Sequence, residues 1–204
     1  MRVSVITTDG GAGKTALSFA LAKELNYYLL SNDDSVIEAV YKDMAQITKE
    51  LPIINDVVYD FGGFLDAGVL DIIKQSDIVI VPCINDLNSK MKAIKTINEL
   101  KKHNNRFLVV ATRLENTQDF KEVKTDLQEQ FQDIEVLPLR KTKMLKNGLE
   151  YGMSPLELIA ESKQLAYAGR NFIPEYKDIL KYVLNNETIY NELLKEKSKG
   201  DKNA

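Results

Sequence analysis

A lysine and a threonine, Lys14-Thr15, end the glycine-rich run Thr7-Thr8-Asp9-Gly10-Gly11-Ala12-Gly13. Glycines let a backbone turn sharply and point successive N–H groups inward as an anion nest. A lysine at the end of such a nest can reach the β- and γ-phosphates of a nucleotide, and the threonine hydroxyl can ligate Mg²⁺. The chemistry this stretch suits is therefore triphosphate binding. Gly10, Gly11, Ala12 and Gly13 would supply backbone donors, Lys14 the charge and Thr15 a metal ligand. Ala16 would lie in the first turn of a helix whose N-terminal partial charge favours anions. A plain glycine turn with a chance Lys-Thr is the competing reading, and the flanks speak against it. Val3-Ser4-Val5-Ile6 alternates like a strand, and Ala16-Leu17-Ser18-Phe19-Ala20-Leu21-Ala22 is an apolar run rich in helix formers. Strand, glycine loop and helix in succession are the context a phosphate-binding loop requires.

Two carboxylates elsewhere suit the same chemistry. Asp60 ends the apolar run Ile54-Asn55-Asp56-Val57-Val58-Tyr59 and precedes Phe61-Gly62-Gly63. A carboxylate at the tip of a buried strand beside a phosphate loop is placed to hold a Mg²⁺-bound water. Gly62 would let a backbone N–H approach the γ-phosphate and move when it leaves. The alternative is an ordinary strand-end turn. After Leu29-Leu30, the run Ser31-Asn32-Asp33-Asp34-Ser35 carries a second acidic group. Asp33 could accept a hydrogen bond from water and aim it in line with the γ-phosphorus, or an aspartate here could cap a helix starting near Ser35.

These residues need elements to hold them. Strand-length apolar runs fall at residues 3–7, 27–30, 53–59, 78–83, 107–112 and 134–138. Ile78-Val79-Ile80-Val81 and Leu108-Val109-Val110 are continuous β-branched or aliphatic runs that suit central parallel strands covered on both faces. Helical stretches fall between them at 14–25, 36–49, 67–74, 89–103 and 118–131. This alternation predicts an α/β fold, a mostly parallel open sheet with helices on both faces. Ligands of such sheets bind beyond the C-terminal strand ends. After Pro138 only helical patterns remain, with Tyr176, Ile179, Leu180 and Val183 spaced to pack on the sheet. Ile189, Tyr190, Leu193 and Leu194 suggest a further amphipathic helix, and the charged tail at 196–204 should fray.

At 204 residues the chain suits a single domain spanning 1–204, with roughly 70% of its unfolded surface buried on folding. No apolar run approaches the roughly 20 residues that span a bilayer. The chain begins with a core strand, so no signal peptide is expected. The lone Cys83 can form no intrachain disulfide, and a cytoplasmic location is the default expectation. The single histidine, His103, and the lack of zinc spacing argue against a metal-hydrolase or triad chemistry. A net charge of −3 argues against a globally basic nucleic-acid binder but allows a local patch.

The ordinary phosphate-loop pattern wants a glycine where Thr8 stands. The doublet Gly10-Gly11 with Gly13-Lys14-Thr15 resembles instead the deviant loop of the ParA/MinD family of ATPases. The resemblance implies a Rossmann-like three-layer P-loop fold and ATP hydrolysis with Mg²⁺. Asp60 looks like the family's second nucleotide motif. Position by position, Ser31 and Asp33 fall on the aspartates of its Asp-x-Asp-Pro-Gln stretch, where the second positions the attacking water. Asp34 and Ser35 replace the proline and glutamine. Val136-Leu137-Pro138-Leu139-Arg140 is similar to its late strand with a Pro-x-Arg ending, and Tyr151-Gly152-Met153-Ser154-Pro155 to the turn before its last helices. That implies a base site near the Pro138 carbonyl and Arg140, with Thr112 and Arg113 against the base.

The compact length resembles the small plasmid-partition ParA proteins. A partition ATPase implies an ATP-dependent switch, a homodimer, a ParB-like or other small DNA-binding partner, and non-specific DNA binding. Lysines spread on one surface would serve the last. Candidates are Lys92, Lys95 and Lys102, pointing outward from a helix, and the denser set Arg140, Lys141, Lys143 and Lys146, though a solvated face explains either. A membrane-cycling regulator of the MinD kind would need a terminal amphipathic helix, which Lys195-Glu196-Lys197-Ser198-Lys199 does not offer. Thr8-Asp9 also resembles dethiobiotin synthetase, an ATP-dependent ligase, but the substrate lysine of that family has no counterpart in residues 31–35. The family rule is broken at Asp9, where relatives carry a lysine that crosses to the nucleotide of a second subunit. An aspartate would place negative charge there. Either no ATP-sandwich dimer forms, or another cation stands in. The candidates by chain position are Lys90 and Lys92, in the loop-to-helix segment after the fourth strand.

Overall fold

In the computed structural model, which describes residues 1–63 and 66–199, the apolar runs become strands of one parallel sheet. These are β1 (Arg2–Ile6), β2 (Tyr28–Ser31), β3 (Ala45–Ile47), β4 (Val57–Phe61), β5 (Ile78–Ile84), β6 (Phe107–Leu114) and β7 (Glu135–Arg140). Their order across the sheet is β3-β2-β4-β1-β5-β6-β7, and every pairing is parallel. The helices are α1 (Lys14–Leu25), α2 (Ile37–Tyr41), α3 (Ala67–Lys74), α4 (Leu87–Leu100), α5 (Thr117–Gln130), α6 (Met144–Tyr151), α7 (Pro155–Glu161), α8 (Lys163–Gly169), α9 (Phe172–Leu184) and α10 (Glu187–Lys199).

Alternate residues of each strand feed two cores, as the pleat requires. Val3, Val5, Val58, Ile80 and Leu108 pack under α1, α2, α6, α7 and α9. Ile6, Tyr59, Val79, Val81 and Val109 pack under α3, α4 and α5. Asp60 follows the parity of Val58, so its side chain falls on the α1 face. Register then aligns the strand ends: Val5 pairs with Asp60, Ile6 with Phe61, and Ser31 with Asp60. The loops leaving β1, β2 and β4 therefore lie side by side. Side chains start the helices on the opposite face: Asp86 caps α4, and Asn116 with Asp119 makes a capping box on α5.

The expected parallel α/β sheet with helices on both faces is the observed one. The helix expected at 36–49 is not. It stops at Tyr41, passes through a 3₁₀ turn at Lys42–Met44 and becomes edge strand β3, paired with β2. Ile37, Tyr41 and Met44 have helical spacing, but a three-residue edge strand has too few buried positions to write an alternating pattern. The strand expected from Ile53 begins at Val57, because Asp56 takes a left-handed conformation (φ 52°) that an extended strand cannot include. Strand β6 runs past Thr112 to Leu114 with a register break, and Arg113 sits there at φ 57°. Helix α10 continues to Lys199, and the rest of the expected frayed tail lies outside the described residues.

Helix α9 joins the two parts of its layer. Tyr176 donates its hydroxyl to the Ala20 carbonyl of α1 at 2.9 Å, and Ile179 is fully buried. Ile179→Ala should cost about 2–5 kcal/mol by removing packed side chain and leaving a cavity. Urea unfolding should show a lower midpoint with an unchanged slope.

Candidate nucleotide site

The loop leaving β1 is shaped by left-handed backbone. Gly11 has φ 97° and Gly13 φ 81°, and a side chain at either would meet no atom within 4 Å. Conformation, not crowding, demands glycine there. Gly13 is the N-cap of α1, and its carbonyl accepts from Leu17 N–H at 3.0 Å. Gly10 and Gly11 are exposed, whereas Ala12 is buried. The Ala12 carbonyl accepts from the Thr112 hydroxyl at 2.9 Å, which pins the loop to β6.

The first turn of α1 converges on Asp60. Thr15 Oγ1 donates to Asp60 Oδ2 at 2.8 Å, and Ser18 Oγ lies 3.1 Å from Asp60 Oδ1. Lys14 Nζ is 3.8 Å from Asp60 Oδ1 and 3.4 Å from Asp33 Oδ2. Asp60 is fully buried. Burial pushes its carboxyl pKa up, while Lys14 and the Thr15 and Ser18 hydroxyls pull the other way. The structure thus brings Lys14, Thr15, Asp33 and Asp60 to one point. Ser18 was missed in the sequence, although it lies one helical turn beyond Lys14, on the side that faces Asp60.

The β4 loop is wedged between its two neighbours. On one side Gly62 N–H donates to Asn32 Oδ1 at 2.7 Å, and a side chain at Gly62 would come within 3.2 Å of Asp33 Cβ. On the other, Gly63 has φ 84°, and a Cβ there would lie 2.9 Å from the Thr7 carbonyl. Ser31 Oγ reaches the Asp60 carbonyl at 3.0 Å and accepts from Asp33 N–H at 3.0 Å.

Asp9 is turned away from the loop mouth toward α4, where its Oδ1 lies 3.2 Å from Lys92 Nζ. Of the two candidate lysines, Lys90 and Lys92, the first is engaged elsewhere, with Asp126 at 2.6 Å. Lys92 therefore does not belong to an outward basic face with Lys95 and Lys102. The site holds three carboxylates, Asp9, Asp33 and Asp60, against two ammonium groups, Lys14 and Lys92. Among the described residues no cluster of acidic, histidine or cysteine side chains could hold a metal alone. A divalent cation here would need phosphate oxygens beside Thr15 and Asp60.

A cavity of about 280 Å³ opens off the loop, lined by Ala12, Gly13, Ala16, Thr112, Arg113 and Arg140, together with Lys141, Thr142, Leu145 and Lys146. Pro138 lines a neighbouring 160 Å³ cavity with Leu114 and Phe120, one residue out of phase with Leu139, and Arg140 lines both cavities. Arg140 grips Glu175 through Nε and Nη2, at 2.8 and 2.6 Å. Lys141 pairs with Glu115 and Lys146 with Glu150. The basic run at 140–146 is therefore largely neutralised by its own neighbours.

The strand order, the loop after β1 and the carboxylate at the tip of β4 define a P-loop NTPase-like α/β fold. Solved structures with this fold include MinD from Pyrococcus horikoshii complexed with Mg-ADP (14% identity, TM-score 0.62, covering 87% of this chain and 95% of that one). The ATP complex of a single-residue McdA variant from Cyanothece matches at 13% identity and TM-score 0.56, over 91% of this chain and 96% of that one. A putative plasmid partition protein from Borrelia burgdorferi bound to AMPPNP matches at 13% and 0.57, over 90% and 98%. No protein-family profile and no curated sequence matches the chain.

Gly63→Ala should test the wedge. Its left-handed backbone and the close Thr7 carbonyl together should cost about 1–3 kcal/mol. The loss should appear in the urea midpoint and, because Thr7 begins the phosphate loop, in weaker nucleotide binding as well.

Proposed function

We propose that this chain is an ATPase of the ParA/MinD family acting as a nucleotide-dependent switch of the partition type, with Mg²⁺ as cofactor. The carrying observation is Lys14 at the N-terminus of α1, held between Asp33 and Asp60 while Thr15 bonds Asp60. The glycine loop would bind the phosphates through backbone N–H groups. Lys14 would leave Asp33 for the β- and γ-phosphate oxygens. Thr15 would ligate the metal, and Asp60 would hold one of its waters. When bound, Mg²⁺ would add to Lys14 and Lys92 part of the positive charge that three carboxylates and a triphosphate require. Asp33, released from Lys14, would accept a hydrogen bond from the attacking water. The cavity beyond Ala12 would take the base against Thr112 and Arg113. Support comes also from the nucleotides named with the similar folds: Mg-ADP, ATP and AMPPNP.

Likeness of fold does not choose between partition and positioning roles, since MinD and partition proteins match alike. Helix α10 turns Tyr190 and Leu194 onto the core, so these two residues serve packing rather than a lipid-facing stripe. A ligase of the dethiobiotin-synthetase kind is disfavoured by the loop after β2, whose Asn32 and Asp33 face Gly62 and Lys14. ATP turnover with and without DNA, compared with turnover plus diaminopelargonic acid, separates these classes. DNA binding through residues 140–146 would require their ion pairs to open. A ParB-like partner would then act on the nucleotide-bound form.

Lys14→Ala should abolish measurable ATP binding while circular dichroism stays native. Asp33→Ala should bind ATP at least as well as the wild type, because it removes a competitor for Lys14. Its kcat should fall by roughly 100-fold or more. Equal turnover in Asp33→Ala and wild type would remove Asp33 from the mechanism.

The Asp9–Lys92 pair bears on assembly. A homodimer closing over two nucleotides would meet negative charge at Asp9 where lysine-bearing relatives offer positive charge. ATP-driven dimerisation should therefore be weak and intrinsic hydrolysis slow. Asp9→Lys should strengthen the dimer in sedimentation with AMPPNP. A tight wild-type dimer that Asp9→Lys leaves unchanged would mean a different geometry of assembly.

A further inference from the structure

Asn32 has no role in the site described so far, yet it makes one of the shortest hydrogen bonds there. Its Oδ1 accepts from Gly62 N–H at 2.7 Å. Gly62 N–H is the backbone donor that the β4 loop would offer to a terminal phosphate. One N–H cannot serve both acceptors at full strength. The next residue, Asp33, is engaged in the same way: its carboxylate occupies Lys14 at 3.4 Å, where a phosphate would go. Two adjacent side chains on one loop thus fill two phosphate-facing donors, one from the β4 loop and one from α1.

We propose, resting on the nucleotide reading above, that Asn32 is a positioning residue that competes with the γ-phosphate for Gly62 N–H and sets the preference of the site between triphosphate and diphosphate. In the nucleotide-free state the Asn32–Gly62 bond holds the β2 loop against the β4 loop, with Asp33 on Lys14. A γ-phosphate at Gly62 displaces Asn32 and, through the intervening backbone, loosens Asp33 from Lys14. Ser31 is the pivot. Its single hydroxyl proton has two carbonyl acceptors, Asp60 at 3.0 Å and Asp33 at 3.1 Å. When the Asp33 segment shifts, that proton stays with Asp60, so the strand end remains anchored while the loop moves. The lack of a side chain at Gly62 follows from the same packing, because a Cβ would press on Asp33 Cβ at 3.2 Å and Cγ at 3.3 Å. A diphosphate ends short of Gly62 and leaves the Asn32 bond in place.

The test compares affinities for ADP and AMPPNP, each with Mg²⁺, in wild type, Asn32→Leu and Asn32→Asp. Leucine keeps the shape and removes the acceptor; aspartate keeps the acceptor. Asn32→Leu should tighten AMPPNP binding by about three- to tenfold relative to ADP, the scale of one neutral hydrogen bond. Asn32→Asp should keep the ratio at or below the wild-type value. A structural role alone would shift both nucleotides together. In the nucleotide-free protein, NMR hydrogen exchange at the Gly62 amide should be slow in wild type and Asn32→Asp and fast in Asn32→Leu. An unchanged affinity ratio in Asn32→Leu, or unchanged exchange at Gly62, overturns the proposal. A wild-type protein that binds neither nucleotide overturns the nucleotide reading itself, and this proposal with it.

Discussion

A carboxylate with no solvent exposure at the tip of a central strand is the constraint to which the rest of this fold answers. Burying an ionised Asp60 costs several kcal/mol unless donors and a cation meet it. All three partners come from one helical turn: Lys14, Thr15 and Ser18, at positions i, i+1 and i+4. Only a helix that starts at Lys14 presents them together, and only a left-handed residue at Gly13 lets the chain turn into that helix. The β1–β4 register then brings Asp60 beneath it. Loop, helix start and strand pairing are thus one solution to one electrostatic problem.

The distances separate what fixes Asp60 from what is free to move. The Thr15 bond is short at 2.8 Å, while Lys14 stands 3.4 and 3.8 Å from its two carboxylates. Charge-assisted bonds of full strength run nearer about 2.7–2.9 Å. Hydroxyl donors therefore hold the buried carboxylate, and the ammonium is shared loosely between two anions. A cation so held exchanges partners at little cost. At the β4 loop Gly62 and Gly63 touch two other loops through backbone alone, Gly62 by a 2.7 Å bond to Asn32 that a better acceptor could replace. Strength sits in the strand ends and exchangeability in the loops.

How much of this was legible in the sequence follows from how contiguous each feature is. The phosphate loop is one unbroken stretch whose glycines, lysine and threonine each have a local reason to be there, so it could be read directly. Asp60 was visible because a charge ending an apolar run is a local event. Contacts across loops were not. Nothing in Asn32 alone points to Gly62, and nothing in the sequence chooses Lys92 over Lys90 as the partner of Asp9, 83 residues away. Ser18 left a weak trace in its helical spacing. Strand β3 left none, since a short, half-exposed edge strand obeys neither the period of a buried strand nor a length that excludes helix. Pro138 and Arg140 were read from one motif, and as residues two apart on a strand they share a face. Both line the cavity beside Leu114, and Arg140, at the strand end, reaches the loop-side cavity as well.

The Asp9–Lys92 pair shows how a departure from a motif can be absorbed locally and still have a consequence at a distance. An acid at the start of the loop is compensated by a base from the second turn of α4, so the loop keeps its shape. Lys92 is then committed. If it left to meet a phosphate of a second copy, Asp9, which is nearly buried, would lose its partner. The two uses of Lys92 exclude each other. Any assembly that recruits it must first find Asp9 another cation or water, a cost that a loop carrying a lysine does not meet. The fold is indifferent to that exchange of charge, because the ion pair lies outside both hydrophobic cores. Were two copies to close over their nucleotides as proposed, association would not be indifferent, because this charge would then meet a second triphosphate.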